Sequence, residues 1–142
     1  MNQPVETASV DRVELSIPCR AEWVALARLA VSAIANRLKL TIEEIEDVKL
    51  AVAEACTSVI QQDVHGDTLA LTFESTPGAL RIHVRDAGAH ESRVDAPTAM
   101  DYDEARIVGL GVFLIRTLMD EVSYDQHPER GTDLVMVKRI AR

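Results

Sequence analysis

Hydrophobic and polar positions alternate first in "RVELSIP", residues 12–18, where Val13, Leu15 and Ile17 fall on one side. That period of two predicts a strand, which Pro18 ends. From Ala21 to about Leu38 the chain is rich in Ala, Leu and Arg and has no Gly or Pro, which predicts a helix. The period then lengthens to that of an amphipathic helix. Ile45, Val48, Val52, Cys56, Val59 and Ile60 make a core stripe, with Asp47, Ala51, Glu54, Ser58, Gln61 and Gln62 on the other side. Thr41 and Glu44 have the spacing of a capping box, which sets the start of this helix. It runs to about Gln62 or Asp63, where "HGD" closes it.

Alternation returns in "TLALTFES", with Leu69, Leu71 and Phe73 on one side, and in "ALRIHVRD", with Leu80, Ile82 and Val84 on one side. The "STPG" between them is turn chemistry, so the pair predicts a hairpin. Residues 87–108 are polar and irregular, with room for a short helical turn near "DYDEAR". A loop of that length in a compact domain is usually functional or mobile. "GLGVFLIRTLMD" opens a helix after two glycines. "EVSYDQ" and "TDLVMVKRI", joined through "HPERG", are two further strands. The grouping of helices and strands predicts an α+β fold. Its form is a two-layer α/β sandwich with helices on one face of a mostly antiparallel mixed sheet.

Composition narrows the function classes. With 142 residues the chain suits a loose tail over 1–9 and a single domain over 10–142. A formal net charge of -8 argues against nucleic acid and against anionic membranes, and is compatible with a basic protein partner. The N-terminus "MNQPVETASVDR" has no apolar stretch of the kind that makes a signal peptide, and the apolar run "IVGLGVFLI" is too short to span a bilayer. The two cysteines give no disulfide framework or metal cluster, and Cys56 falls on the apolar face of its helix. These features place the chain in the cytoplasm.

Three short stretches carry candidate chemistry. Glu54 and Ser58 stand four residues apart, hence side by side on their helix. "VRDAGAH" ends a strand on Asp86 and then steps through Gly88, a pairing suited to a carboxylate that reads a base amino group. "VGLGVFLIR" sets Gly109 and Gly111 at a helix start, where exposed N–H groups and the positive helix end favour phosphate. Each alone is a common pattern: a solvated helix face, a plain turn, a glycine-rich helix start.

Together, in this order and spacing, they resemble the GHKL ATPase superfamily, with its Bergerat ATP-binding fold. Within it the chain is similar to bacterial anti-sigma factors that are also serine protein kinases. The likeness runs from about Val13 to Arg139 and is most specific in "GLGVFLIRTLMDEVSY" and "GTDLVMVKR".

The resemblance implies a histidine-kinase-like ATPase domain using ATP and Mg²⁺. Glu54 matches the general base of the family's N-box. Asp86 matches the aspartate that bonds the adenine amino group, with Gly88 beside it. Gly109, Leu110 and Gly111 match the second glycine box at the triphosphate, and Thr132 matches the threonine near the adenine pocket. Arg106, just before the glycines, is open to two readings, a surface arginine or a cation that steadies the γ-phosphate, and in the active reading the 89–108 segment closes as a lid. Two positions depart from the pattern. Ser58 stands where the family has the asparagine that holds Mg²⁺, and His90 where the first glycine box has another glycine.

The implied partners are a sigma factor, an anti-sigma-factor antagonist bearing the phosphoacceptor serine or threonine, and a second copy in a homodimer. Two activities stay open: phosphorylation of the antagonist, and non-catalytic anti-sigma binding with weak or no nucleotide. A histidine-kinase catalytic module is disfavoured, since the four histidines fall in predicted strands or loops and no phosphoacceptor helix pair precedes the domain. A plain ATPase has no extra support.

Overall fold

The computed structural model of the chain describes residues 10–62, 66–87, 111–127 and 131–140. Its elements are β1 (Asp11–Pro18), a 3-10 turn (Ala21–Trp23), α1 (Val24–Ala35), α2 (Ile42–Ile60), β2 (Thr68–Thr76), β3 (Ala79–Ala87), β4 (Glu121–His127) and β5 (Gly131–Arg139). Residues 111–118 are helical and form the described part of α3.

The five strands lie in the order β1-β2-β3-β5-β4. Every pairing among the described residues is antiparallel, so the mixed character expected from sequence has no counterpart there. The β2–β3 hairpin closes at the expected turn. Thr76 Oγ1 accepts from the Gly78 and Ala79 amides at 3.3 and 3.1 Å. β5 inserts between β3 and β4, with Arg85 opposite Asp133. That crossing brings the start of β5 beside the end of β3, which matters for the site.

The alternating apolar residues face the helices. Leu69, Leu71 and Phe73, Leu80, Ile82 and Val84, and Leu134 and Met136 are all buried in one cluster with Val31, Val48, Val52, Cys56 and Val59. Burying each large side chain stabilises the fold by roughly 1.5–3 kcal/mol. The other sheet face carries cross-strand ion pairs: Arg12 with Glu74, Arg81 with Glu74, His83 with Asp133 and Arg139 with Glu121. Helices on one face and a charged face opposite make the two-layer α+β sandwich that the sequence predicts.

Three local expectations are corrected. Residues 21–23 are a 3-10 turn and α1 ends at Ala35, not near Leu38. The cause at the C-terminus is local: Asn36 Nδ2 donates to the Ser32 carbonyl at 2.8 Å, and Arg37 and Leu38 bond three residues back rather than four. Val13, aligned with the core, is 43% exposed, because its end of the edge strand β1 is poorly covered. Ala51 and Ser58 of α2, and Gln62 just beyond it, are buried although the helical wheel put them on the solvent side. Both α1 and the sheet pack on α2, and Gly111 of α3 presses on its Ser58 side, so α2 buries more than one stripe.

Candidate functional site

Leu80, Ile82, Val84 and Asp86 follow one another along the inner face of β3. The period of two thus places a carboxylate in line with three core aliphatics, and Asp86 is 5% exposed. Such a group needs polar contacts. The Gly66 amide donates to Asp86 Oδ1 at 2.6 Å. On the other side stands Gly131, with φ +85°, where an added Cβ would lie 2.7 Å from Asp86 Cγ and 2.8 Å from its Cβ. Only glycine combines that backbone conformation with that clearance. Thr132 follows, and its buried Oγ1 has no hydrogen-bond partner of normal geometry among the described residues.

Cys19 lies just past the end of β1, where its amide donates to the Asp67 carbonyl at 3.1 Å. Burial, and then the negative charge of Asp86 and Asp67, pushes the Cys19 thiol up to about 11. Cys56 is buried in the core, as its helical position predicts, and its thiol rises to about 12.

A second cluster forms where α2 meets α3. A Cβ on Gly111 would lie 3.0 Å from Ser58 Oγ and 3.7 Å from Glu54 Oε1. The missing side chain lets the α3 backbone at Gly111 approach a hydroxyl and a carboxylate together. Two residues brace the last turn of α2. Gln62 Nε2 donates to the Ser58 carbonyl at 3.1 Å and to the Tyr124 hydroxyl on β4 at 3.5 Å. Burial raises the Tyr124 pKa, and the Thr132 hydroxyl partly opposes that rise.

Of the residues singled out from sequence, Glu54, Ser58 and Gly111 come together, and Asp86 and Thr132 flank Gly131. Gly88, His90, Arg106, Gly109, Leu110 and the 89–108 segment lie outside the described residues. Sequence reasoning gave no individual role to Gly66, Gly131, Gln62 or Tyr124. Gly131 is visible as a glycine opening a strand, but its contact with Asp86 follows only from β5 lying next to β3. A cleft of about 510 Å³ lined by Asp11, Val13, Ile34, Leu38 and Phe73 contains none of the candidate residues.

The family model of the histidine kinase-like ATPase domain matches residues 17–138. The chain belongs to the histidine kinase-like ATPase family. One relative is the serine-protein kinase RsbW of Halalkalibacterium halodurans, 37% identical over 140 residues, covering 93% of this chain and 85% of that protein. Another is the serine-protein kinase RsbW of Bacillus cereus strain AH820, 35% identical over 141 residues, covering 93% and 87%. These findings bear out the resemblance to the anti-sigma, serine-kinase branch of the superfamily.

The described residues of this histidine kinase-like ATPase fit an adenine nucleotide on two counts. The buried Asp86 carboxylate and the Thr132 hydroxyl can meet base donors and acceptors, and Gly111 leaves a gap that a Cβ would fill beside Glu54 and Ser58. For Mg²⁺ the donor set has the right hardness. That ion takes one or two protein oxygens and completes its shell with phosphate and water. Among the described residues no group of three or more His, Cys, Asp or Glu is arranged to hold a metal by itself. No described helix is long and apolar enough to cross a membrane.

Proposed function

We propose that the protein is a cytoplasmic anti-sigma regulatory factor that binds ATP and phosphorylates a serine or threonine of an anti-sigma-factor antagonist, and that it sequesters a sigma factor. The observation that carries this reading is the convergence of Glu54 and Ser58 on Gly111, the first described residue of α3. The name of the relatives, serine-protein kinase, supports the same reading.

In this reading Asp86 accepts a hydrogen bond from the adenine amino group, with Thr132 and Gly88 beside it. Gly109, Leu110 and Gly111 offer amides to the phosphates, and Arg106 adds a cation there. Glu54 takes the proton of the acceptor hydroxyl as its oxygen bonds to the γ-phosphorus and ADP departs. Mg²⁺, when bound, neutralises charge on the phosphates, and Ser58 would hold it directly or through water.

The test is ATP titration with and without Mg²⁺, followed by γ-phosphate transfer to a candidate antagonist. Asp86→Asn is expected to weaken ATP binding by about 1–3 kcal/mol and leave the fold intact. Unchanged affinity would remove Asp86 from the nucleotide site. Glu54→Gln is expected to slow transfer roughly 10²–10⁴-fold with little loss of ATP affinity. Equal rates would return Glu54 to a solvated role.

Ser58, where the family carries asparagine, favours a second reading, a binder without transferase activity. In that case sigma-factor binding persists and no phosphate reaches the antagonist. The homodimer implied by the resemblance is tested by sedimentation.

A further inference from the structure

We infer that Lys138 is a positioning residue that registers α3 against α2, and so sets the distance between Gly111 and the Glu54–Ser58 pair. The inference rests on the phosphoryl-transfer reading above. Lys138 lies on the inner face of β5, where its neighbours in line, Leu134 and Met136, are aliphatic. It is 9% exposed. A lysine at such a place needs strong partners for its ammonium. It has a hydrogen bond to one helix and a longer ion pair to another. Nζ donates to the Leu118 carbonyl at 2.8 Å, and lies 3.9 Å from Asp47 Oδ2.

Leu118 is the last helical residue of α3, so its carbonyl belongs to the negative end of that helix, where a cation is favoured. The residues flanking Lys138 hold the same end. The Asp120 amide donates to the Val137 carbonyl at 2.9 Å, and the Arg139 amide donates to Asp120 Oδ2 at 2.6 Å. Three successive residues of β5 therefore clamp the exit of α3.

Asp47, Glu54 and Ser58 are seven and four residues apart, so they share one face of α2. Lys138 meets that face at Asp47, while Gly111 meets it at Glu54 and Ser58. The described part of α3 is thus registered near Leu118 and near Gly111 against the α2 face that presents Glu54. Its eight described residues span only about 12 Å, short enough to move as a rod. A tilt released at Leu118 reaches Gly111.

The variant is Lys138→Met, which keeps the stem and removes the ammonium. ATP titration is compared with Val31→Ala, a core truncation in α1 outside the site, chosen to give a melting loss at least as large. We expect Lys138→Met to weaken ATP binding about tenfold and Val31→Ala to stay within twofold of wild type. Unchanged affinity in Lys138→Met, or equal losses in the two variants, overturns the positioning role.

Should Lys138→Met not fold, Lys138→Gln removes the charge more gently and is expected to lose at least threefold; wild-type affinity in that variant overturns the inference. A wild type that binds no ATP would end the functional reading alone. The positioning claim is then decided by amide exchange in the free protein. Amides of residues 115–118 should exchange at least tenfold faster in the variant relative to those of α2, and unaltered protection overturns it.

Discussion

Glycine at 131 does two jobs that no other residue can do there. Its φ of +85° lies in the left-handed region, and its bare Cα leaves room for the Asp86 carboxylate. Gly131→Ala would add backbone strain of about 1–3 kcal/mol and press a methyl group into Asp86. The expected outcome is a clear fall in melting temperature together with weaker ATP binding; a variant that melts and binds like wild type would mean that Asp86 has space to move. Gly111 presents a milder form of the same problem. Its virtual Cβ lies 3.0 Å from Ser58 Oγ, tight but relieved if that oxygen is removed. Gly111→Ala should therefore reduce ATP binding less in a Ser58→Ala background than in wild type. A double-mutant cycle with additive losses would argue that the two residues do not compete for the same space.

At the scale of elements, local signals were legible and non-local ones were not. The start of α2 could be read from Thr41 and Glu44 because a capping box is built within four residues. The structure has both of its bonds, at 3.0 and 2.8 Å. Thr41→Ala should cost about 0.5–2 kcal/mol in denaturant unfolding and leave ATP affinity unchanged, since the cap lies at the far end of α2 from Ser58. The faces of β2 and β3 were equally legible, because alternation fixes them. The burial of Ser58 and Gln62 was not. A wheel assigns one buried stripe, whereas α2 is also pressed by Gly111 of α3 and tied to Tyr124 of β4. Those contacts link residues 53 and 62 positions apart, and no local period encodes them. The early end of α1 was missed for a smaller reason: Asn36 returns its side chain to the Ser32 carbonyl, a competition that composition alone does not reveal. The candidate site was legible as three separate residue patterns. That Gly131 meets Asp86 depends on β5 lying beside β3, and that Gly111 meets Glu54 and Ser58 depends on α3 packing on α2.

For the whole molecule, the layers put the cross-strand ion pairs on the outer sheet face and the two thiols inside. The ion pairs Arg12–Glu74 and His83–Asp133 lie on the outer sheet face, partly exposed, where such pairs contribute little to stability. Cys19 and Cys56 are buried between the layers. Burial raises their thiols from an ordinary 9.0 to about 11 and about 12. The folded protein therefore keeps protons that the unfolded chain releases above pH 9. By linkage, the thiol contribution to stability is fully present below the unfolded value of 9.0 and is lost as pH rises towards the folded values of about 11 and 12. Tyr124, also raised by burial, acts in the same direction at alkaline pH. Urea unfolding at a series of pH values should thus give a midpoint that falls above pH 9, and more shallowly in a Cys19→Ala, Cys56→Ala variant than in wild type. Thiol reagents should label neither cysteine in the native protein near pH 8 and both after unfolding, because the reactive thiolate is suppressed and shielded. Rapid native labelling of either cysteine, or equal alkaline slopes in the two proteins, would place that thiol outside the sealed core.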